Sequence, residues 1–439
     1  MSNTLTAVLV ASLQLAHLAT ESLGRFSGRT SRSPGLAQEA PGSDQVALPR
    51  EGRVDPRALW TLLIGNGLTS MGVSFFLPIL PLYIASKGAS SLLVGLVFAA
   101  GVCGRALVQY PAGWLSDRYG RRPLLVGGLL VYALFFPIYL VGLPPAALIA
   151  VRFLHALAGG SVSIVATALM ADLTQSEGRG KAFGWLRASD MAGVLLGPAL
   201  GGLVAGIRLD AVFVGAALVC LLAVPLMLRL PAPPPGSQSR EGGEPDISAW
   251  KSLRPLLPVV LLGAPVYWVF GTYDSVWSLY ITSRGASPFL VGVSFATYAL
   301  PIVLLGGLAG GLADRLGALR AGTLALLTYG LLAATYPFIS SVPLLIMIGF
   351  LEGSLTAAGN PALMAEVSRM APAGAQGRTQ GLYALLLNAA EVAGAVVGGA
   401  LYLRGPAFAF LGATTVCLAG VASSLALRLR RAGSPTAAH

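Results

Sequence analysis

The stretch LYIASKGASSLLVG (Leu82–Gly95) returns 197 residues later as LYITSRGASPFLVG (Leu279–Gly292). At the same offset GWLSDRYG (Gly113–Gly120) returns as GGLADRLG (Gly310–Gly317). Further copies follow with small shifts that loops can absorb: ALMADL (Ala168–Leu173) matches ALMAEV (Ala362–Val367), and LRASDMAG (Leu186–Gly193) aligns with LNAAEVAG (Leu387–Gly394). In a long apolar chain, two related halves predict a membrane carrier, because two similar bundles in one polypeptide can rock about a site held between them.

Composition agrees with a lipid solvent. Of 439 residues, 55% are hydrophobic and 11% charged, with a mean hydropathy of +0.74, whereas soluble domains carry roughly 25% charge. Apolar runs of about 20 residues, enough to cross a hydrocarbon core of about 30 Å, can be drawn twelve times. Spans 1 to 6 fall at 59–84, 92–114, 123–142, 146–171, 181–206 and 211–230, and spans 7 to 12 at 256–281, 289–313, 319–339, 343–367, 378–402 and 406–427. The expected fold is therefore an all-α membrane protein, twelve transmembrane helices in two pseudo-symmetric six-helix bundles. Its parts are a tail over 1–58, rich in Ser, Gly, Pro and Arg and expected to be disordered, a bundle over 59–230, a linker over 231–254, a second bundle over 255–430 and a tail over 431–439. The linker holds PAPPPGSQSREGGEPD (Pro231–Asp246), a composition of flexible connectors. The start of the tail, Leu5–Ala19, is short, broken by polar residues and preceded by no basic residue, so a signal peptide is not expected.

A net charge of +11 raises the question of nucleic acid, and the placement of the charges answers it. Between spans, sixteen basic residues lie on one side, among them Arg118, Arg121, Arg122, Arg179, Lys181, Lys251, Arg315 and Arg378, against Lys87, Arg208, Arg284 and Arg404 on the other. That bias is membrane topology, with both termini and the linker cytoplasmic. No nucleic-acid partner is needed. Cys103, Cys220 and Cys417 sit in separate spans without metal-ligand spacing, and are read as apolar packing residues. The only histidines are His17, His155 and His439, too few and too scattered for a metal site or a Ser-His-Asp set, and no G-x4-GK-[ST] string offers an ATP site. An enzyme, a metal or a cofactor is not expected.

The loop Gly113-x-Leu115-x-Asp117-Arg118-x-Gly120-Arg121-Arg122, between spans 2 and 3, resembles the signature loop of the major facilitator superfamily. Its second copy, Gly310-x-Leu312-x-Asp314-Arg315-x-Gly317, sits where that family repeats it. Physically the glycines permit a tight turn and close helix contact, and the Asp and Arg residues can bind helix ends and opposite charges, which suits a conformational latch. A charged turn that merely anchors helices at the lipid surface would explain one copy better than two.

Span 5 carries Gly184, Gly193, Gly197, Pro198, Gly201 and Gly202 in the spacing G-x8-G-x3-GP-x2-GG, similar to the antiporter motif of exporters in that superfamily. Gly193, Gly197 and Gly201 share one stripe, along which a neighbouring helix can approach closely, and Pro198 adds a kink. Span 11 keeps Gly394 and Gly398 without the proline. Span 1 reads Gly72-Val-Ser-Phe-Phe-Leu-Pro78-Ile-Leu-Pro81, similar to a motif of twelve-span drug/proton antiporters, but it has no acid between Trp60 and Ile84, so a proton carrier must lie elsewhere.

Charges inside spans are costly and read as functional. Arg152-Phe-Leu-His155 in span 4 resembles the superfamily's fourth-helix Arg motif, with His155 and Ala156 where Gln and Gly are common; at the 197 offset His155 pairs with Glu352 of span 10. The resemblance places spans 4 and 10 on the central cavity, which makes Arg152, His155 and Glu352 proton-coupling candidates. A structural Arg152–His155 pair and a solvated mouth position for Glu352 stay open. Asp274 of span 7 has Phe270 and Trp277 on its helix face, an acid beside rings that can hold a proton or a lipophilic cation; an interfacial aromatic belt is the alternative. Asp190 and Glu391 are repeat mates, each three residues before a packing glycine, and Asp190 can also simply pair with Arg187. Arg105 of span 2 either contacts an anionic substrate or pairs with an acid.

The expectation is a monomeric transporter in a bacterial plasma membrane, resembling drug/H⁺ antiporters, that exchanges a small lipophilic or cationic substrate for protons by alternating access. The alternatives are a facilitator or proton symporter for a small metabolite such as a sugar or organic anion, recognised by Arg105 or Arg152, and a receptor or scaffold that keeps the carrier fold without transporting.

Overall fold

The computed structural model describes residues 56–174, 178–231, 253–371 and 376–432, with the side chains of 253–254, 306–314 and 430–432 outside the described set. Most of the N-terminal tail, the linker over 232–252 and the C-terminal tail beyond Ala432 lie outside the described residues, as do the side chains of Gly310 and Asp314.

Each apolar run is a helix. Spans 1 to 6 are Pro56–Phe76 continued by Leu80–Ser86, Ser91–Tyr119, Arg121–Phe135 with a 3₁₀ turn over Phe136–Leu140, Ala147–Asp172, Arg179–Ala205 and Ala211–Met227. Spans 7 to 12 are Leu253–Ser283, Pro288–Leu316, Ala318–Thr335 with a 3₁₀ turn over Tyr336–Phe338, Val342–Met370, Gln376–Tyr402 and Pro406–Ala432. Eleven of these are long and apolar enough to cross a membrane, and span 6 is an apolar helix of 17 residues.

The repeated sequence folds twice in the same way. After spans 1 and 7, Gly88 and Gly285 turn the chain at φ 82° and 92°, a region a Cβ disfavours. Ser90 and Ser287 then cap spans 2 and 8, accepting from Leu93 N–H and Leu290 N–H. At the far ends of those spans Gly120 and Gly317 turn at φ 92° and 81° into spans 3 and 9.

Packing repeats too. Span 1 lies on spans 5 and 6, span 2 on span 4, and span 3 on spans 4 and 6; span 7 lies on spans 11 and 12, span 8 on span 10, and span 9 on spans 10 and 12. Between the bundles span 2 packs on span 11 and span 5 on span 8, two contacts that a twofold rotation exchanges. Span 1 breaks after Phe76, where Pro78 and Pro81 each remove a helical N–H. The Pro78 carbonyl accepts from Ser278 Oγ of span 7 at 2.6 Å, so the break is tied to the opposite bundle.

Candidate functional site

The interface between the bundles is closed toward one face and parted toward the other. The closed face carries Lys87, Arg208, Arg284 and Arg404; the parted face carries the Asp-Arg loops and most other cations. Glycines set both conditions. On the closed half, a Cβ at Gly399 would lie 2.5 Å from Ser91 O and one at Gly202 would lie 2.7 Å from Pro288 O, while one at Gly95 would overlap the Ala395 carbonyl and one at Gly292 the Pro198 carbonyl. Only bare backbones can meet this closely. Ser91 Oγ adds a hydrogen bond to the Gly399 carbonyl at 2.8 Å. Eighteen residues away from these glycines, five full helical turns and so on the same face, stand Gly113, Gly381 and Gly184, and a Cβ on any of them would meet nothing within 4 Å. The fourth pair is Gly292 with Gly310.

Where closed half meets parted half, Arg105 Nη2 of span 2 donates to Glu391 Oε1 of span 11 at 3.2 Å. The guanidinium side chain is 46% exposed and the carboxylate side chain 10%. Beyond this pair Gln109 and Tyr110 are exposed on span 2, and Gly381 and Leu385 on span 11. The sequence left Arg105 open between a substrate contact and an acid partner; the acid partner is Glu391, and it belongs to the other bundle.

Asp274 lies on span 7 one turn from Gly271, where the span 7 backbone meets the Glu391 carbonyl of span 11. It is half-buried, and among the described residues it holds no hydrogen bond or ion pair. Phe270 and Tyr267, one and two turns back on the same face, are also half-buried, with ring centroids 5.4 Å apart, and Tyr298 of span 8 stands edge-on to Phe270 at 6.4 Å. Tyr267 was not singled out from the sequence, although its spacing to Asp274 carries the signal. Trp277, expected beside this acid, is instead 7% exposed; its Nε1 donates to Ser294 Oγ at 2.9 Å and its ring packs on Tyr336 and Phe410. A helix face is only as wide as its neighbours allow, and span 8 covers this end of it.

Two aromatic cages, equivalent at the 197 offset, fill the centres of the bundles. In the first, Phe76, Tyr132, Phe136 and Tyr139 enclose His155, with Tyr132 stacked on the imidazole at 4.2 Å and Phe135 at 5.7 Å. In the second, Tyr273, Tyr329 and Tyr336 stand at the matching positions around Glu352, and Tyr273 Oη donates to Glu352 Oε1 at 3.2 Å. Tyr83 and Tyr280 brace the two cages identically, each donating at 2.5 Å, to the Tyr139 and Tyr336 carbonyls. His155 is wholly buried, and its Nε2 lies 3.1 Å from the Tyr132 carbonyl, which can only accept. The proton is thereby assigned to Nε2, and Nδ1 accepts from Tyr139 Oη at 3.2 Å. Both nitrogens are satisfied inside the core. Glu352 is 2% exposed, deep in the bundle instead of at a solvated mouth, and the neighbouring Tyr329 and Tyr336 are buried beside it.

Arg152 is 5% exposed, its guanidinium 5.3 Å over the Phe76 ring and its Nε without a partner. Gly101 of span 2 makes room for it, since a Cβ there would lie 2.8 Å from Nε. No carboxylate among the described residues pairs with it. Asp190, by contrast, is well held: Asn66 Nδ2 and Ser70 Oγ of span 1 each donate to Oδ1 at 2.7 Å, while Arg187 stands at 3.9 Å. The sequence pointed to Arg187; the stronger partners lie 120 or more residues away.

The glycines of span 5 divide between two neighbours. Gly193, Gly197 and Gly201 press on the span 1 backbone at Gly67, Met71 and Phe75, and Gly202 on span 8; Gly394 and Gly398 press on span 7 at Trp268 and Thr272. Pro198 lies within the span 5 helix, its carbonyl against Gly292. In the loop after span 2, Arg121 pairs with Asp117 at 2.5 Å and with Asp172 of span 4 at 3.0 Å, and Arg118 lies over the Trp114 ring at 5.4 Å. On the second copy Arg315 is exposed at the end of span 8.

The sequence over residues 62–273 and again over 259–438 matches the Major Facilitator Superfamily. The chain belongs to this superfamily of transporters. Multidrug resistance protein 2 of Bacillus subtilis is 25% identical over 390 residues, 84% of this chain and 94% of that protein. Quinolone resistance protein NorA of Staphylococcus aureus is 22% identical over 253 residues, 57% of this chain and 63% of that protein. Among solved structures, the nucleoside transporter NupG superposes with a TM-score of 0.74 at 14% identity, covering 84% of this chain and 99% of that one, a likeness of fold. The major facilitator fold accounts for the paired bundles, the four interface helices and the loops that repeat. It makes the chain a multi-pass membrane transporter of a small molecule and no enzyme.

Proposed function

We propose that this transporter exports small lipophilic or cationic molecules from a bacterial cell in exchange for protons. The observation that carries the reading is Asp274: a half-buried carboxylate without a partner among the described residues, on the same helix face as Tyr267 and Phe270, between bundles that part on the basic-rich side. By the charge bias of the loops that side is the cytoplasm, so both termini are cytoplasmic and the cleft is open to substrate inside the cell. A lipophilic cation finds there a carboxylate and ring faces at once. The names of the multidrug and quinolone resistance relatives point the same way.

Proton and cation then compete for the same acids. Protons entering from outside neutralise Asp274 or Glu352, substrate leaves, and the bundles re-close around neutral side chains. Exchanged for a neutral substrate, one proton crossing about 100 mV supplies roughly 2.3 kcal/mol, which sustains a substrate gradient of some tens-fold; one-for-one exchange with a monovalent cation is electroneutral and draws on the pH gradient alone. In proteoliposomes, ethidium efflux should follow an imposed pH gradient, collapse with a protonophore, and fall at least about tenfold in Asp274→Asn, the scale of losing a positioned proton-transfer group. Efflux indifferent to the gradient would refute the exchange.

Arg152 supports a second reading. A buried cation without a carboxylate partner suits an organic anion carried by symport or facilitation. Inhibition of uptake by organic anions, with ethidium neither moved nor competing, would favour it.

A further inference from the structure

We propose that Arg105 is a tethered cation that occupies the substrate's own carboxylate site, so that a bound cation releases the latch between the bundles. The inference rests on the reading of the carrier as one for cations. Span 7 presents Tyr267, Phe270 and Asp274 on one half-buried face, and the backbone of Glu391 on span 11 packs against span 7 at Gly271, within about one turn of both Tyr267 and Asp274. Two carboxylates and two rings thus lie near one another in the second bundle. The cation among them comes from the first bundle: Arg105 spans to Glu391 at 3.2 Å.

Three features make this pair a latch. It is the last polar tie between spans 2 and 11 before they part, since Ser91 and Gly95 lie on its closed side and Gly113 and Gly381 face nothing on its open side. Its cation can leave, because the Arg105 side chain is 46% exposed and regains water on release. Its carboxylate is the better buried partner, so Glu391 needs a cation once Arg105 leaves. A planar guanidinium held against the Glu391 carboxylate stands where an aromatic or quaternary cation entering from the cytoplasmic side would bind. Such a cation takes Glu391 and Asp274, Arg105 swings into solvent, and the closed half loses its innermost tie. The outward switch is thereby reserved for the loaded carrier.

The test uses the full chain in nanodiscs, tetraphenylphosphonium as the probe, and spin labels on cysteines replacing Trp114 and Leu385, exposed residues on the parted ends of spans 2 and 11. Adding the probe to the wild type should shorten the distance between the labels. Arg105→Ala should shorten it without probe and bind the probe about tenfold tighter, the gain expected when a site is freed from an internal competitor. Arg105→Lys, which keeps the charge, should stay within about twofold of the wild type in both respects. Glu391→Gln should shorten the resting distance and weaken binding. The proposal is overturned if the probe does not bind the wild type, if Arg105→Ala binds it no tighter, or if the resting distance is the same with and without Arg105. Both readouts are at equilibrium without a proton gradient, so they stand even if proton-driven export fails, and proton-driven export stands even if they fail.

Discussion

His155 and Glu352 hold the same position in the two halves and do opposite work there. Tyr132 and Tyr139 satisfy both nitrogens of His155, leaving it no polar group to offer a substrate or a passing proton. Around Glu352 the replacement of Phe76 by Tyr273 supplies a donor, and the Tyr329 and Tyr336 rings stand beside it. The expected mutational behaviour separates them. His155→Ala removes a ring from a packed cage and orphans Tyr139 Oη, which should cost about 3 kcal/mol, as for other buried rings, and lower the melting temperature of the purified protein by several degrees. Glu352→Gln should melt near the wild type, because the amide oxygen accepts from Tyr273 and its NH₂ can donate to a neighbouring tyrosine hydroxyl oxygen. It should nonetheless lose proton-driven export while substrate counterflow persists. Equal melting temperatures and equal export for the two variants would contradict the assignment.

At the scale of elements, the four interface helices share a device of two glycines five turns apart: Gly95 with Gly113, Gly184 with Gly202, Gly292 with Gly310, and Gly381 with Gly399. One member of each pair touches the opposite bundle now, and the described partners of the parted half touch nothing. The spacing suits a seesaw in which closing the second set opens the first. Adding bulk should therefore act with opposite sign at the two ends of one helix. Gly202→Val places carbon against the Pro288 carbonyl and disfavours the present state, whereas Gly184→Val has free space here and obstructs only the opposite closure. Overpacking of this kind costs about 1–3 kcal/mol, enough to shift the balance of the two states by roughly five- to a hundred-and-fiftyfold. Distances between labels on spans 2 and 11 should shorten for Gly202→Val and stay long for Gly184→Val. Shifts in the same direction would remove the seesaw.

For the whole molecule, much was legible in the sequence because duplication is written in residues that fix backbone geometry. Gly88 and Gly285 turn alike, Ser90 and Ser287 cap alike, and Tyr83 and Tyr280 brace alike, so the two bundles and the helices that join them follow from the repeat. The site was less legible. Asp190 finds Asn66 and Ser70, Arg105 finds Glu391, and Trp277 turns into the core, all by packing between spans far apart in the chain, which helical spacing within one span does not encode. Orientation is the remaining property that the charge pattern reaches and geometry does not. If the basic-rich face is cytoplasmic, the parted cleft opens inward, and Trp114, 52% exposed on that side, is reached from the cytoplasm. Cys220 and Cys417 are buried, so a single cysteine introduced at position 114 reports with little background once Cys103 is replaced by serine. An impermeant maleimide should label that cysteine in inside-out vesicles and spare it in intact cells. Tetraphenylphosphonium should slow the labelling, since the loaded carrier closes the cleft around the residue. Labelling from outside intact cells would reverse the topology, and with it the direction of transport that the open cleft implies.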